Sequence, residues 1–158
     1  MRESKFIQLP NVIPFLKNPQ KCKSTIVTVR SGWELKFIMK YLDINMNILE
    51  WTSEDTIIKY ISPIDGKQHR YFIDFAYKAR TKSGEIKEFW IEIKPYSQSI
   101  KPKEPKRKTV GYLNEVKTYL INTAKWETTK KLVEEYKKIG RDVTFCIITE
   151  KECPFFLN

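Results

Sequence analysis

The stretch YFIDFAYKARTKSGEIKEFWIEIKP, residues 71–95, decides how this chain is read. Ser83-Gly84 is a turn signal, and Pro95 removes a backbone donor and ends the run. The spacing predicts a strand over 68–80, a short turn, and a second strand over 85–95. Side chains alternate faces along a strand. In the second strand Phe89, Ile91 and Ile93 therefore share one face, and Trp90, Glu92 and Lys94 the other. In the first, Phe72, Asp74 and Ala76 share a face, and Asp74 stands between Ile73 and Phe75. If the strands pair as a hairpin, Asp74 and Glu92 converge; the register is not fixed by sequence. Two adjacent carboxylates repel and raise one another's pKa unless a cation lies between them. Oxygen ligands in a chain with a single histidine favour Mg²⁺ or Mn²⁺ over zinc. A lysine alongside can act on a metal-activated water or hold charge on a phosphate.

Outward from this pair, a helix is expected over 31–43. Ser31 is the N-cap and Glu34 stands three residues on, a capping-box spacing. Residues 44–55 read as a connector, and TIIKYIS (56–62) as a strand closed by the turn Pro63-Ile64-Asp65-Gly66. The three strands then form an antiparallel meander. YSQSIKPKEPKRK (96–108) reads as a loop, rich in cations from Lys101 to Lys108. Helices are expected over 109–121 and 123–139, with Asn122 as a cap between them and Gly140 as the stop. VTFCIIT (143–149) reads as a buried strand. The fold class is α/β, a mixed sheet flanked by helices. Residues 26–150 form the domain and 1–25 a proline-broken arm carrying Phe6, Ile7, Leu9, Val12, Ile13, Phe15 and Leu16, expected to pack on it. Residues 151–158 form an apolar tail, expected to be a docking handle.

At 158 residues the chain suits one domain, and 41% hydrophobic content excludes a disordered protein. Apolar runs fall short of the ~20 residues a membrane helix needs, and no signal core opens the chain. A soluble cytoplasmic protein with no membrane partner is expected. Cys22, Cys146 and Cys153 show no disulfide or zinc spacing. Lys and Arg number 29 against 19 Asp and Glu, a formal charge of +10. That field suits a polyanion, nucleic acid first among them; a merely solvated basic surface is the plainer alternative. No Gly-rich phosphate loop is present, so neither nucleotide hydrolysis nor a small-molecule cofactor is expected. His69, the only histidine, lacks the context of a serine or cysteine hydrolase. It reads as a strand-edge residue near phosphate or as a structural hydrogen-bonder.

The order of Glu34, Asp74, Glu92 and Lys94 resembles the PD-(D/E)XK restriction-endonuclease-like nucleases, with their α-β-β-β-α-β core. More specifically, RSGWELKFIMKYLD, ILEWTSED, YISPIDGKQHRYFIDF, FWIEIKP and NTAKWE are similar to the head-completion nucleases of T-even-type tailed phages, in the TnsA-like superfamily. Ile73 departs from the proline in the motif's name, but that residue supplies no ligand. The resemblance implies a metal-dependent DNA nuclease acting on packaged DNA ends late in head completion. Asp74, Glu92 and the Ile93 carbonyl would hold Mg²⁺ or Mn²⁺, Lys94 would act at the water, and Glu34 would assist from the helix. DNA contacts would fall to His69, Arg70, Lys101, Lys103, Lys106, Arg107, Lys108 and Lys125, with Asn122 near the site; Glu54 reads as a peripheral ligand or as an acid at a turn or strand start. Portal, neck or capsid proteins would be partners, and the place of action the host cytoplasm or the virion head or neck. Two rivals stand beside this reading: a transposon-end or junction endonuclease on the same fold, and a non-catalytic DNA-binding head or neck protein. Each side chain also has an ordinary use: a strand-face ion pair for Glu92 and Lys94, an exposed strand position for Asp74, a helix cap for Glu34, and a solvated helix face for Lys125.

Overall fold

The computed structural model describes residues 8–157; Phe6 and Ile7 of the arm lie outside them. Ser31 caps α1 (Gly32–Phe37), accepting the Glu34 N–H on its hydroxyl at 3.1 Å. The helix then widens into a π turn over Ile38–Leu42, closed by Asp43 N–H donating to the Ile38 carbonyl. The segment expected as a connector instead holds a strand, β1 (Ile48–Ser53). Next come β2 (Ile57–Ile61), β3 (Gln68–Phe72), β4 (Phe75–Arg80) and β5 (Ile86–Ile93). A single turn, α2 (Tyr96–Ser99), precedes the long helix α3 (Val110–Lys138), and β6 (Val143–Ile148) follows.

The long strand expected over 68–80 is two strands in two sheets. Ile73 N–H donates to the Thr56 carbonyl, and one residue on, Glu54 N–H donates to the Asp74 carbonyl. The chain thus exchanges its partner, β2 before the break and β1 after it. β2 and β3 form a two-stranded sheet of their own, and the main sheet runs β1-β4-β5-β6. β4 is antiparallel to β1 and to β5, while β6 is parallel to β5. The expected meander is therefore corrected. The core is α1-β1-β4-β5-α3-β6, a restriction-endonuclease-like α/β fold, with the β2–β3 hairpin inserted just before Asp74.

Alternation divides the apolar residues between the two faces of the main sheet. Phe75, Tyr77, Ile91 and Ile93 pack with Phe37, Ile38 and Leu42 of the first helical segment and with Val12 and Leu16 of the arm. Trp90 and Val143 pack with Trp126 and Val133 of α3, and Ile58, Tyr60 and Tyr71 extend that core along the hairpin. Of the described arm, Val12 and Leu16 are buried with Leu9 and Ile13 packed against them, whereas Phe15, expected to pack, stays exposed. Buried Asp43 clamps the arm, accepting the backbone N–H groups of Lys17 at 2.7 Å and Asn18 at 2.8 Å.

Two further expectations are corrected. Helix α3 is continuous through Asn122, which is buried on the same face as Trp126, Thr129 and Val133. Burial of that face outweighs the local preference of asparagine for a cap. The tail is in part core: Phe156 is buried and stacks on Trp33 at 5.2 Å, while the Lys36 ammonium donates to its carbonyl. Leu157 remains exposed. Among the described residues no helix is long and apolar enough to cross a membrane, and all three cysteines are free.

Candidate active site

Phe75 pairs with Ile91, so Asp74, one step before β4, falls beside the end of β5. Its Oδ2 accepts the Ile93 N–H at 2.8 Å. That bond settles the register the sequence left open and brings Asp74 to Glu92. Glu92 is buried, only 4% exposed. Its Oε2 accepts the Tyr71 hydroxyl at 2.5 Å, and its Oε1 lies 3.4 Å from the Lys94 ammonium. Lys94 remains partly exposed, facing solvent with its cation anchored. Burial first, and the charge of Glu92 second, push the Asp74 carboxyl well above its ordinary value; Glu34 adds to the push, while the Ile93 N–H and Lys94 oppose it. Burial and Glu92 also raise the Tyr71 phenol, which stays protonated and a donor.

Glu34 enters from the first turn of α1. Its Oε2 accepts the Arg30 N–H at 3.0 Å, closing the cap, and its charge still reaches Asp74. The same arginine pairs through its guanidinium with Glu54. Glu54 has φ of +56°, a left-handed conformation uncommon for a side chain of this size. It is therefore a staple between β1 and Asp74, its carboxylate committed to Arg30. From α3, the Lys125 ammonium lies 5.3 Å from the centre of the Tyr71 ring and 5.8 Å from that of Tyr60. Burial lowers its pKa, opposed by the charges of Glu92 and Asp74, so the cation stands within their field.

Glu34, Asp74, Glu92, Ile93, Lys94 and Lys125 are thus gathered at one end of the sheet. Among the described residues, the remaining sequence candidates make no hydrogen bond or ion pair with these carboxylates. His69 bonds Asp65 at 2.8 Å and closes the β2–β3 turn, the structural role. Arg70 lies on the exposed face of that hairpin. Lys101 to Lys108 fill the exposed loop before α3. Val110 begins that helix 15 residues before Lys125, roughly 22 Å along the axis, so the end of the loop is distant from the carboxylates.

Residues 45–150 match the family described as TnsA-like endonuclease N terminal. The chain belongs to the TnsA-like endonuclease family. It is also similar to the head completion nuclease of Enterobacteria phage T4, at 36% identity over 89% of this chain and 86% of that protein. No solved structure matches. Within the TnsA-like segment fall Asp74, Glu92, Lys94 and Lys125; Glu34 precedes it.

Paired carboxylate oxygens are donors of the kind a hard divalent cation takes. Asp74 and Glu92 bring oxygen donors together in a buried place, where burial first and the charge of Glu92 second raise the Asp74 carboxyl, and a cation between them would relieve that repulsion. Among the described residues no three His, Cys, Asp or Glu side chains form a ligand group. Two carboxylates suffice for Mg²⁺, which keeps several waters and completes its shell with substrate phosphate. Tyr71 and Trp126 were missed in the sequence. Tyr71 lies in an aromatic run where nothing distinguishes the one hydroxyl aimed at Glu92. The Trp126 indole N–H is buried in this same core beside the Tyr71 hydroxyl.

Proposed function

We propose that this TnsA-like chain hydrolyses phosphodiester bonds of DNA with Mg²⁺ or Mn²⁺, trimming packaged DNA ends during late head completion. The observation that carries it is the buried Asp74–Glu92 pair with Lys94 3.4 Å from Glu92. The head completion nuclease relative supports the phage setting. A divalent ion bound there would supply Lewis-acid polarisation of the phosphate and acidify a water. Asp74, Glu92 and the Ile93 carbonyl would hold it. The Ile93 N–H fixes the rotation of Asp74, and Tyr71 fixes that of Glu92, leaving Oε1 free toward Lys94. Lys94 orients the attacking water and offsets charge on the phosphate. Lys125 places a second cation on the α3 side, Glu34 adds negative potential from α1, and the loop cations from Lys101 to Lys108 track phosphates farther out. Portal, neck or capsid proteins would station the enzyme at exiting DNA, in the host cytoplasm or in the virion head or neck.

The test is digestion of linear, nicked and closed circular DNA in Mg²⁺. Wild-type protein should cut, Asp74→Ala should not, and Lys94→Ala should lose roughly 10²-fold or more in turnover with DNA binding little changed. Wild-type cleavage that persists in Asp74→Ala contradicts the assignment. The TnsA-like match favours one second reading, cleavage at a transposon end; cutting confined to a defined end sequence would establish it.

A further inference from the structure

The inserted hairpin has an outer face that the site does not use. In β2, Ile58 and Tyr60 are buried against the α3 core, and Ile57, Lys59 and Ile61 point the other way. In β3, Tyr71 is buried, and Gln68, Arg70 and Phe72 share the outer side. The register sets Ile57 opposite Phe72, Lys59 opposite Arg70, and Ile61 opposite Gln68. Two features of this face cost free energy. Ile57, Ile61 and Phe72 are 46%, 58% and 41% exposed on one small surface. Lys59 and Arg70 are like charges directly across the ladder, which destabilises a strand pair. Among the described residues neither has a carboxylate at ion-pair distance.

We propose that the outer face of the β2–β3 sheet is a stacking platform that holds an unpaired nucleotide next to the scissile bond. The proposal rests on the DNA nuclease reading and adds the substrate form, a strand unpaired at the cut. Phosphate tracking alone needs cations; it does not need an exposed Phe and two Ile. Interleaved cations and aromatic rings are what single-stranded nucleic acid binds, the cations holding phosphates and the ring a base face. Arg70 already lies 5.5 Å over the Phe72 ring, adding a cation–π component. A duplex hides its base faces in the stack, so this surface distinguishes unpaired from paired DNA. Phe72 and Asp74 are two residues apart, at most about 7 Å between Cα atoms, so a strand lying on the outer face passes the edge of the hairpin where Asp74 begins the main sheet. Two unopposed cations on a chain of formal charge +10 give the complementarity to a polyanion.

Binding is measured on the full chain carrying Asp74→Ala, in chelator, with a fluorescent oligothymidylate and a duplex of equal length. Cleavage and metal loading are thereby removed, so failure of the metal-site reading leaves this test intact. Adding Phe72→Ala should weaken the oligothymidylate complex about 5- to 150-fold and leave the duplex within about twofold. Phe72→Tyr should restore binding and Phe72→Leu should not, which separates stacking from packing. Lys59→Gln with Arg70→Gln should reduce the slope of log K against log salt for the single strand by about 1.4, two phosphates' worth. The platform is overturned if Phe72→Ala weakens both ligands alike, if Phe72→Leu binds like the parent, or if the parent binds no single strand. An Ala variant with a melting temperature well below the parent's would likewise make Phe72 a packing residue.

Discussion

Burial and the charge of Glu92 hold the Asp74 carboxyl above its ordinary value, and this has a sign in stability. Unfolded, the group titrates near pH 3.9. Between there and its raised folded value, the folded chain keeps a proton that the unfolded chain has lost. Stability from this group is therefore full below about pH 4 and is lost as pH rises through the folded value. Asp74→Asn removes the charge and keeps an oxygen for the Ile93 N–H. It should raise the melting temperature of metal-free protein at neutral pH, and the gain should vanish near pH 4 in a calorimetric pH series; a lower melting temperature at neutral pH would contradict the account. Tyr71 carries the opposite sign, because its hydroxyl satisfies a buried carboxylate. Tyr71→Phe should cost about 1.5–3 kcal/mol, read as a lower urea midpoint at unchanged m-value. At this scale the site was legible where charge interrupts an apolar strand, as at Asp74, Glu92 and Lys94. Tyr71 was not legible, and Glu54, expected as a peripheral ligand, is instead paired with Arg30, because what marks them is a contact and a backbone angle, neither of which is a pattern in sequence.

Elements were legible where the apolar pattern is strong, as in α1, β5 and β6, although β6, expected to be buried, is an edge strand with only Val143 buried. The strand β1 was missed because its residues, ILEWTS, are half polar and lie beside an acidic stretch; only pairing with β4 makes them a strand. The aromatic run from Gln68 to Arg80 concealed a break because apolar pattern continues across Ile73 while the hydrogen-bonding partner changes. That exchange matters for the site: a hairpin ends and a core strand begins at Asp74, so the carboxylate is aimed by both. The tail obeys packing, since Phe156 fills a place in the α1-side core against Trp33. Deleting residues 154–158 should lower the melting temperature by ~3–12 °C, from the 1.5–3 kcal/mol a buried Phe contributes. Melting unchanged from wild type would return the tail to the role of a handle.

Over the whole molecule, charge is divided between a few cations at the carboxylates and an exposed set in the loop before α3. Lys94 and Lys125 are held by neighbours, whereas Lys101, Lys103, Lys106, Arg107 and Lys108 project into solvent. If those five each neutralise a duplex phosphate, the loop contributes a slope near −4.5 to log K against log salt, and neutralising all five should flatten it for every sequence alike. A slope unchanged by their removal would make them solvated charge. The fold class followed from the order of elements, and the basic character from composition; the gathering of Glu34, Asp74, Glu92 and Lys125 from four distant segments required tertiary structure. That gathering is tested most directly by titrating Mn²⁺ into the purified chain in a calorimeter. The account predicts saturable binding to wild-type protein, weakened roughly tenfold or more in both Asp74→Asn and Glu92→Gln. Isotherms indistinguishable from wild type in both variants would contradict it.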